Sequence, residues 1–260
     1  MFERPIDLAE ARILVSNDDG INSPGLKLLA KVARMLCPDV WIVAPEQEQS
    51  GASHSLTISR PLRIRKLGSR RYAVDGTPTD SVLLAVNTIL RGKRPTLMLS
   101  GINAGANLGE DVSYSGTVAA AMEATLLEVP AIAFSQHYAD RHAIPWRTAE
   151  AHAATVIKRL TAMPWPRNTL VNVNFPAVSP DQVKGIVATR QGRRKIGDGV
   201  IKRADPRGRP YYWIGPLRDE APGRPGTDLY AVTDGKVSLS PIYLDFTNGP
   251  ALAELTKVFP

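Results

Sequence analysis

The sequence predicts an α/β fold built on a doubly wound, mainly parallel β-sheet, with β-hairpin arms in its C-terminal part. Over the first two-thirds of the chain, short aliphatic runs alternate with segments whose apolar residues recur at helical spacing. Strands separated by helices form parallel sheets, because each helix crosses over to bring the next strand alongside the last. With 260 residues, 43% of them hydrophobic, the chain can bury a full-sized core.

The predicted elements of the first two-thirds follow from this spacing. Ile13 to Val15 is a short aliphatic run that is typical of a buried strand. Apolar residues then recur at three- and four-residue steps from Leu26 to Leu36, which predicts a helix with one apolar stripe. Thr79 is predicted to cap a helix that runs to about residue 90. The other predictions are strands at 40–44, 96–99, 131–134 and 170–174, a hairpin of 62–65 and 71–74 joined through Gly68, and helices at 117–127 and 148–162.

The character of the sequence changes after Pro176, where glycine, proline and arginine accumulate. The apolar runs shorten to residues 186–188, 211–214 and 237–242, which indicates hairpin arms on the core, and a helix is expected at about 251–258. We therefore predict a catalytic core of residues 1–176 and a C-terminal extension of residues 177–260, which together form a single functional domain.

Cysteine usage and hydropathy limit the location. The single cysteine, Cys37, excludes an intramolecular disulfide, fits a reducing compartment and is expected to be a small buried residue near the end of a helix. No apolar run approaches the roughly 18–20 residues that span a bilayer. The first residues lack the apolar stretch of a secretory signal. We therefore expect a cytoplasmic protein with no membrane partner.

The net charge of +7 comes from one segment, between Lys184 and Arg209, which holds nine basic and two acidic residues. Such a segment can attract an anionic substrate or polyanion, although a run of charges is more often a solvated face. Because the run has no interleaved aromatic residues and no recognised binding motif, we expect no specific nucleic-acid partner.

Asp18 and Asp19 lie in the loop of residues 16–25, directly after the first predicted strand. In open α/β sheets, ligands bind beyond the carboxyl ends of the strands. Two adjacent carboxylates repel each other, and a hard cation such as Mg²⁺ or Mn²⁺ relieves that repulsion. Either aspartate could instead cap a turn before the next helix. The motif alone leaves these two interpretations equal.

A second polar loop, residues 44–53, follows the next predicted strand and contains Ser50. Loops at this edge commonly supply hydroxyl ligands, but the motif by itself indicates only a loop. Its neighbour His54 is expected to be structural or solvent-facing rather than a catalytic base.

The glycine-rich loop of residues 100–117 is the most informative motif. Asn103 can offer a side-chain oxygen to a metal ion. Ser115, Gly116 and Thr117 stand at the N-terminus of a predicted helix, where backbone amides and the helix dipole hold phosphate. A long connection with an ordinary helix cap is the alternative, but loops of this length in a compact domain are usually functional.

Several enzyme classes are excluded by absent motifs. The sequence has no P-loop, no GxGxxG fingerprint and no GxSxG elbow, which argues against P-loop NTPases, dinucleotide enzymes and esterases. None of the histidines has a paired metal-binding spacing, so a histidine-rich zinc site is not expected. The histidines are His54, His137, His142 and His152.

Five strings occur in order between Ile13 and Pro176: ILVSNDDGINSPG, VAPEQEQSGASHSLT, VDGTPTDSV, LSGINAGANLGEDVSYSGTVAAAMEA and NVNFP. A weaker echo, TDLYAVTDGKVSLSPI, lies nearer the C-terminus. Together they resemble the survival protein E family of 5′/3′-nucleotidases. Each string is weak alone, but five in the same order are very specific.

The resemblance implies a Rossmann-like core that hydrolyses nucleoside 5′- or 3′-monophosphates to nucleoside and phosphate. It also implies a homodimer or homotetramer with swapped C-terminal arms. One divalent metal ion per subunit, Mg²⁺ or Mn²⁺, would be held by Asp18, Asp19, Ser50 and Asn103.

The mechanism expected from these residues is direct attack of a metal-activated water on phosphorus. Asp19 would ligate the metal and orient the water, and Asp18 would mainly be a ligand. An aspartyl-phosphate intermediate is the rival mechanism, but here the carboxylates are adjacent, and the resemblance favours water attack. The residues expected to neutralise the phosphate are Asn107, Ser115, Gly116 and Thr117.

Two other functions stay open. The chain could be an exopolyphosphatase or another small-phosphomonoester phosphatase, which the basic segment favours slightly. It could instead be a non-enzymatic nucleotide- or nucleic-acid-binding regulator, with affinity that depends on Arg193, Arg194 and Lys195. The adjacent aspartates argue against the regulator, because without a metal they would repel phosphate.

Overall fold

Strand β1 (Arg12–Ser16) lies inside a nine-stranded sheet in the computed structural model, which describes residues 5–194, 199–214 and 223–259. Its parallel neighbours are β2 (Asp39–Pro45) on one side and β5 (Leu97–Ala104) on the other. The chain first extends the sheet beyond β2 and then returns to β5. The sheet therefore has a topological switch point between β1 and β5, where a crevice opens at the carboxyl ends of the strands.

The strand order is β3-β4-β2-β1-β5-β6-β7-β11-β8. All neighbouring pairs are parallel except β3 with β4 and β7 with β11. A separate antiparallel hairpin is formed by β9 and β10. These observations confirm the predicted α/β class with a mainly parallel sheet and a C-terminal hairpin. The remaining strands are β3 (Ile64–Gly68), β4 (Arg71–Val74), β6 (Ala131–Gln136), β7 (Thr169–Phe175), β8 (Ile186–Ala188), β9 (Val200–Ala204), β10 (Pro210–Ile214) and β11 (Val237–Tyr243).

Helices cover both faces of the sheet. Ile13 and Val15 of β1 pack in the cluster that includes α1 and α4, whereas Leu14 packs with α2 and α3 on the opposite face. This alternation of buried side chains is what a strand covered on both faces requires. The helices are α1 (Pro24–Leu36), α2 (Pro78–Leu84), α3 (Gly116–Leu126), α4 (Trp146–Thr161), α5 (Asp228–Thr233) and α6 (Gly249–Val258).

Helix α2 begins before the predicted cap. The N-cap is Thr77, not Thr79, because Thr77 and Asp80 exchange the side-chain and backbone hydrogen bonds of a capping box around Pro78 at the first helical position. Thr79 is buried inside the helix. The α-helical part ends at Leu84, and the π-helical turn Ala85–Ile89 continues it.

Strands β3 and β5 depart furthest from their predicted bounds. Strand β3 runs from Ile64 to Gly68, so Gly68 lies in the strand and not in the turn. Strand β5 continues to Ala104, five residues beyond the predicted end. Its small and polar residues after Leu99 have weak strand propensity, but hydrogen bonding to β6 keeps them extended despite an irregularity between Ser100 and Asn103.

The prediction of hairpin arms is wrong for two of the three C-terminal segments. Strands β8 and β11 belong to the main sheet, because β11 pairs antiparallel with β7 and parallel with β8. Only the segment that contains β10 forms a hairpin, with β9. The division at residue 176 stays a prediction, and the main sheet crosses it. Of the helices in the described residues, none has the length and hydropathy to cross a membrane.

Candidate active site

Asp18 and Asp19 lie at the switch point, just beyond the carboxyl end of β1. The Asp18 carboxylate is buried and accepts a hydrogen bond from the Thr117 hydroxyl at the start of α3. Asp19 Oδ2 accepts a long hydrogen bond of 3.4 Å from the backbone amide of Ala104, at the end of β5. The two neighbouring strands and one helix N-terminus therefore meet at this carboxylate pair.

The surroundings of the pair disfavour the ionised form of both carboxyls. Burial raises the pKa of Asp18, although the hydrogen bond from Thr117 opposes the rise. The pKa of Asp19 is raised to about 7, first by burial and then by the charge of Asp18. Glu48 adds a smaller repulsion to both carboxyls, and no cationic side chain of the described residues contributes to either shift.

The other two predicted ligand residues lie at the same edge of the sheet. The loop after β2 is joined to the aspartates by a 2.8 Å bond from the Gln49 amide to the Asp18 carbonyl. In that loop the Ser50 hydroxyl donates to Glu48 Oε1 at 2.8 Å. Asn103 lies at the end of β5, where its Nδ2 donates to the Gly105 carbonyl at 2.9 Å.

The predicted phosphate-binding residues stand at the N-terminus of α3. Ser115 is the N-cap, and its hydroxyl accepts from the Val118 amide at 3.1 Å. Gly116 is the first helical residue, and a β-carbon there would lie 2.7 Å from Cβ of Asp18. Only glycine therefore lets the helix start so close to the carboxylate. Thr117 is fully buried, with its hydroxyl directed to Asp18.

Asn107 is held by a buried polar network under the same loop. Its backbone amide donates to Asn174 Oδ1 at 2.8 Å, and its carbonyl accepts from the side chains of Asn172 and Asn174. Its own Nδ2 donates to Ser135 at 2.8 Å. Asn107 thus fixes the loop to β6 and β7, and its contact with phosphate stays a prediction.

Sequence reasoning missed Glu48 and the asparagine pair of β7. Glu48 was unremarkable within a polar loop, although its position two residues before Ser50 was a usable signal. Asn172 and Asn174 appear in the string NVNFP at alternate strand positions, which places them on one face. His54 Nε2 lies 2.9 Å from Glu123 Oε2 on α3, and its structural role stays a prediction.

The residues present fit a hard divalent cation. The described residues contain no group of three histidine, cysteine or acidic side chains that could hold a metal. A site here would therefore combine the two aspartates with neutral oxygens, from a hydroxyl and a side-chain amide. Such all-oxygen sets suit Mg²⁺ and Mn²⁺ and not zinc. A cation would also relieve the repulsion that raises the pKa of both carboxyls.

Comparison with known proteins identifies the family. Residues 13–198 match the family model for Survival protein SurE. The chain is 59% identical over 258 residues to a 5′-nucleotidase SurE of Paramagnetospirillum magneticum, with 99% of each chain covered. It is 53% identical over the full length of both chains to a 5′-nucleotidase SurE of Rhodospirillum rubrum.

A solved structure agrees with these relatives. The crystal structure of the Sure protein from Aquifex aeolicus superposes with a TM-score of 0.83 at 40% identity, covering 96% of this chain and 100% of that one. The five ordered strings, the switch-point carboxylates and these likenesses have one explanation. The chain belongs to the SurE family of survival proteins.

Proposed function

We propose that the protein is a metal-dependent 5′-nucleotidase that hydrolyses nucleoside monophosphates to nucleoside and phosphate. The relatives named 5′-nucleotidase SurE align over nearly the whole chain. The observation that carries the proposal is the contact between a buried carboxylate, Asp18, and the N-terminus of α3. Carboxylates beside a phosphate-binding helix end would repel the phosphate, and a cation held by these carboxylates would supply the compensating charge.

The cation would be held by Asp18, Asp19, Ser50 and Asn103. When bound, a divalent ion supplies positive charge against the phosphate oxygens and makes a nearby water more acidic. The donor set supports Mg²⁺ or Mn²⁺, one per subunit.

The chain's own residues would position the reactants. The Gly116 amide and the Ser115 hydroxyl would donate to the phosphate oxygens and stabilise their negative charge. The Ser115 amide already donates to the Asp111 carbonyl, and Thr117 would act beside them through its bond to Asp18. Asp19, the less buried of the two aspartates, would accept a hydrogen bond from the attacking water and fix its direction. Asp18 is held by Thr117 and would keep the helix N-terminus and the acidic pair in register.

The test is phosphate release from a panel of nucleoside 5′- and 3′-monophosphates with Mg²⁺, with Mn²⁺ and with EDTA. Release that requires the metal and is fastest for the 5′-monophosphates supports the proposal. Absence of release from every nucleotide in both metals would contradict it. Metal-independent release would contradict the role given to the aspartates.

Asn103→Ala is expected to raise the metal concentration needed for half-maximal activity about tenfold, because one neutral oxygen ligand is lost while the carboxylates remain. The thermal unfolding temperature in EDTA should change little, since Asn103 is only partly buried and makes one local bond. The control is Asn87→Ala, an exposed asparagine on the π-helical turn. An unchanged metal requirement would remove Asn103 from the ligand set.

Short polyphosphate is a second candidate substrate. The exposed cations on and beside the β9–β10 hairpin could attract a longer polyanion; Lys195, in the same basic segment, lies outside the described residues. Adding tripolyphosphate to the panel tests this, and hydrolysis slower than that of every nucleotide would exclude it as the main substrate. The exposed cations are Lys202, Arg203, Arg207 and Arg209.

A homodimer or homotetramer that exchanges C-terminal arms is supported by exposed apolar side chains. Trp213 and Ile214 of β10 are 64% and 77% exposed, and Phe246 beside α6 is 84% exposed. Surfaces of this kind are usually covered in the assembled protein. Trp213→Glu is expected to shift the mass measured by light scattering towards the monomer. Ile58→Glu, at an apolar residue that is 91% exposed and lies before β3, is the control. A monomeric wild type at micromolar concentration would contradict the proposal.

We infer a cytoplasmic location from cysteine usage. The one cysteine, Cys37, is buried at the end of α1 and forms no disulfide. Its Sγ instead donates to the Ala11 carbonyl at 3.0 Å, as a packed, reduced side chain does.

A further inference from the structure

Asp228, the first residue of α5, is a fully buried carboxylate that accepts only backbone hydrogen bonds in the described part of the chain. Oδ1 accepts from the amides of Gly192 at 2.7 Å and Leu229 at 2.8 Å. Oδ2 accepts from the amide of Gly109 at 2.9 Å. A buried carboxylate is costly unless its oxygens are satisfied, and here each is satisfied by at least one N–H.

The bond to Gly109 joins distant parts of the sequence. Gly109 begins the 3₁₀ turn Gly109–Ser113, which leads directly to the N-terminus of α3. The carbonyl of Gly109 accepts a second bond, from Gln191 Nε2 at 2.7 Å. A β-carbon on Gly109 would lie 3.1 Å from the Arg194 amide, so the C-terminal segment packs directly against the turn.

The turn determines where α3 begins. The amides of Tyr114 and Ser115 donate to the Asp111 carbonyl at 2.9 and 3.0 Å. The Asp111 carboxylate is paired with Arg194 at 2.5 Å and also accepts from the Leu108 amide. The turn and the helix cap at Ser115 therefore form one hydrogen-bonded unit. The segment around Asp228 is bonded to this unit through Gly109.

We propose that Asp228 is a positioning residue for phosphate, acting through Gly109 and the 3₁₀ turn on the amides at the N-terminus of α3. The Asp228 carboxylate bonds to Gly109, Gly192 and Leu229 and not to the acidic pair. Its effect is to hold the N-terminus of α3 at a fixed distance from Asp18. The inference rests on the proposed function only in assigning phosphate to this helix end.

A carboxylate is required because all three partners are donors. In Asp228→Asn, one oxygen becomes an NH₂ group of almost the same size, which cannot accept. If the remaining oxygen still accepts from the amides of Gly192 and Leu229, the NH₂ group faces the Gly109 amide. Both groups are then donors, so the bond to the turn is lost. The substitution therefore removes the bond between Asp228 and the 3₁₀ turn without leaving a cavity.

The experiment measures binding of inorganic phosphate by calorimetry at saturating Mg²⁺, together with kcat and KM for a nucleoside monophosphate. For Asp228→Asn we expect the Kd for phosphate and the KM to rise together by about tenfold. The concentration of Mg²⁺ for half-maximal activity should not change, since the proposed ligands lie on other segments. The control is Asp234→Asn at the end of the same helix, which weakens the partly exposed ion pairs with Lys184 and Lys236.

Reduced stability alone gives a different result. A smaller folded fraction lowers kcat and leaves KM and the phosphate Kd unchanged; that result, or no change at all, overturns the inference. A wild type that binds no phosphate also overturns it. The wild type could also bind phosphate but hydrolyse no nucleotide. Weaker phosphate binding by Asp228→Asn would then support the positioning role, while the proposed function would be contradicted.

A milder variant covers the case in which Asp228→Asn does not fold. Gln191→Ala removes the second bond to Gly109 from an exposed side chain. We expect the phosphate Kd to rise about threefold, the effect of one lost hydrogen bond between neutral groups. An unchanged Kd in this folded variant would overturn the inference.

Discussion

Asp19→Asn is expected to lower kcat by about a thousandfold while the fold is retained. The substitution keeps the shape of the side chain but removes the charge that would hold the metal and orient the water. In EDTA the free energy of unfolding should stay the same or rise. The reason is that the pKa of Asp19, raised to about 7 by burial and by Asp18, marks an ionised group that is unfavourable in the folded protein without metal.

The matched control is Asp140→Asn, an exposed aspartate in the loop after β6, at the same edge of the sheet. Phosphate release and urea unfolding of both variants and the wild type provide the comparison. Normal turnover by the Asp19 variant would exclude this carboxylate from the site. A large loss of stability in EDTA would contradict the argument from repulsion.

Gly116→Ala is expected to lower kcat/KM by about a hundredfold. The added β-carbon would displace the helix start or Asp18, and a displacement of about 1 Å at a reacting centre costs about that much in rate. A β-carbon at Gly116 would lie 2.7 Å from Cβ and 2.9 Å from Oδ2 of Asp18. Either the helix start or the carboxylate must then move, and the distance between phosphate and the acidic pair changes. Far-ultraviolet circular dichroism should show a normal helix content.

The chain offers a closely matched control for this change. Gly249 is the first residue of α6, as Gly116 is of α3, and a β-carbon there would have no neighbour within 4 Å. Gly249→Ala should therefore leave kcat/KM unchanged. If Gly116→Ala were equally harmless, the close approach of α3 to Asp18 would have no catalytic consequence.

The elements most accessible to sequence reasoning are those with local periodicity. The aliphatic run at Ile13 predicts β1, and the stripe from Leu26 to Leu36, with its helical spacing, predicts α1. Both elements contribute buried side chains to the core. The spacing of Thr77, Pro78 and Asp80 also indicates the start of α2, because it is a capping box with proline at the first helical position. The prediction that Thr79 caps the helix does not take this spacing into account.

Other features depend on pairing between distant residues, which periodicity does not report. The assignment of β11 to the main sheet comes from its ladder with β7, whose paired residues lie 64 to 74 positions earlier in the chain. The site also depends on such pairing. The motif strings predict that the aspartates and the N-terminus of α3 belong to it, but they do not predict what supports the loop. The supports of the loop, Asn174 and Asp228, are polar residues that are buried only because the fold brings them under it.

The position of β11 between β7 and β8 also sets an order of events during synthesis. Ile186–Ala188 leaves the ribosome before the strand beside which it must lie, so β8 has no place in the sheet until Val237–Tyr243 has been made. Until then the backbone edge of β7 has no partner strand on that side, and such an edge is a template for pairing with other chains. A nascent or truncated chain that stops before Val237 therefore exposes a strand edge for aggregation and for chaperones that β11 covers in the folded protein.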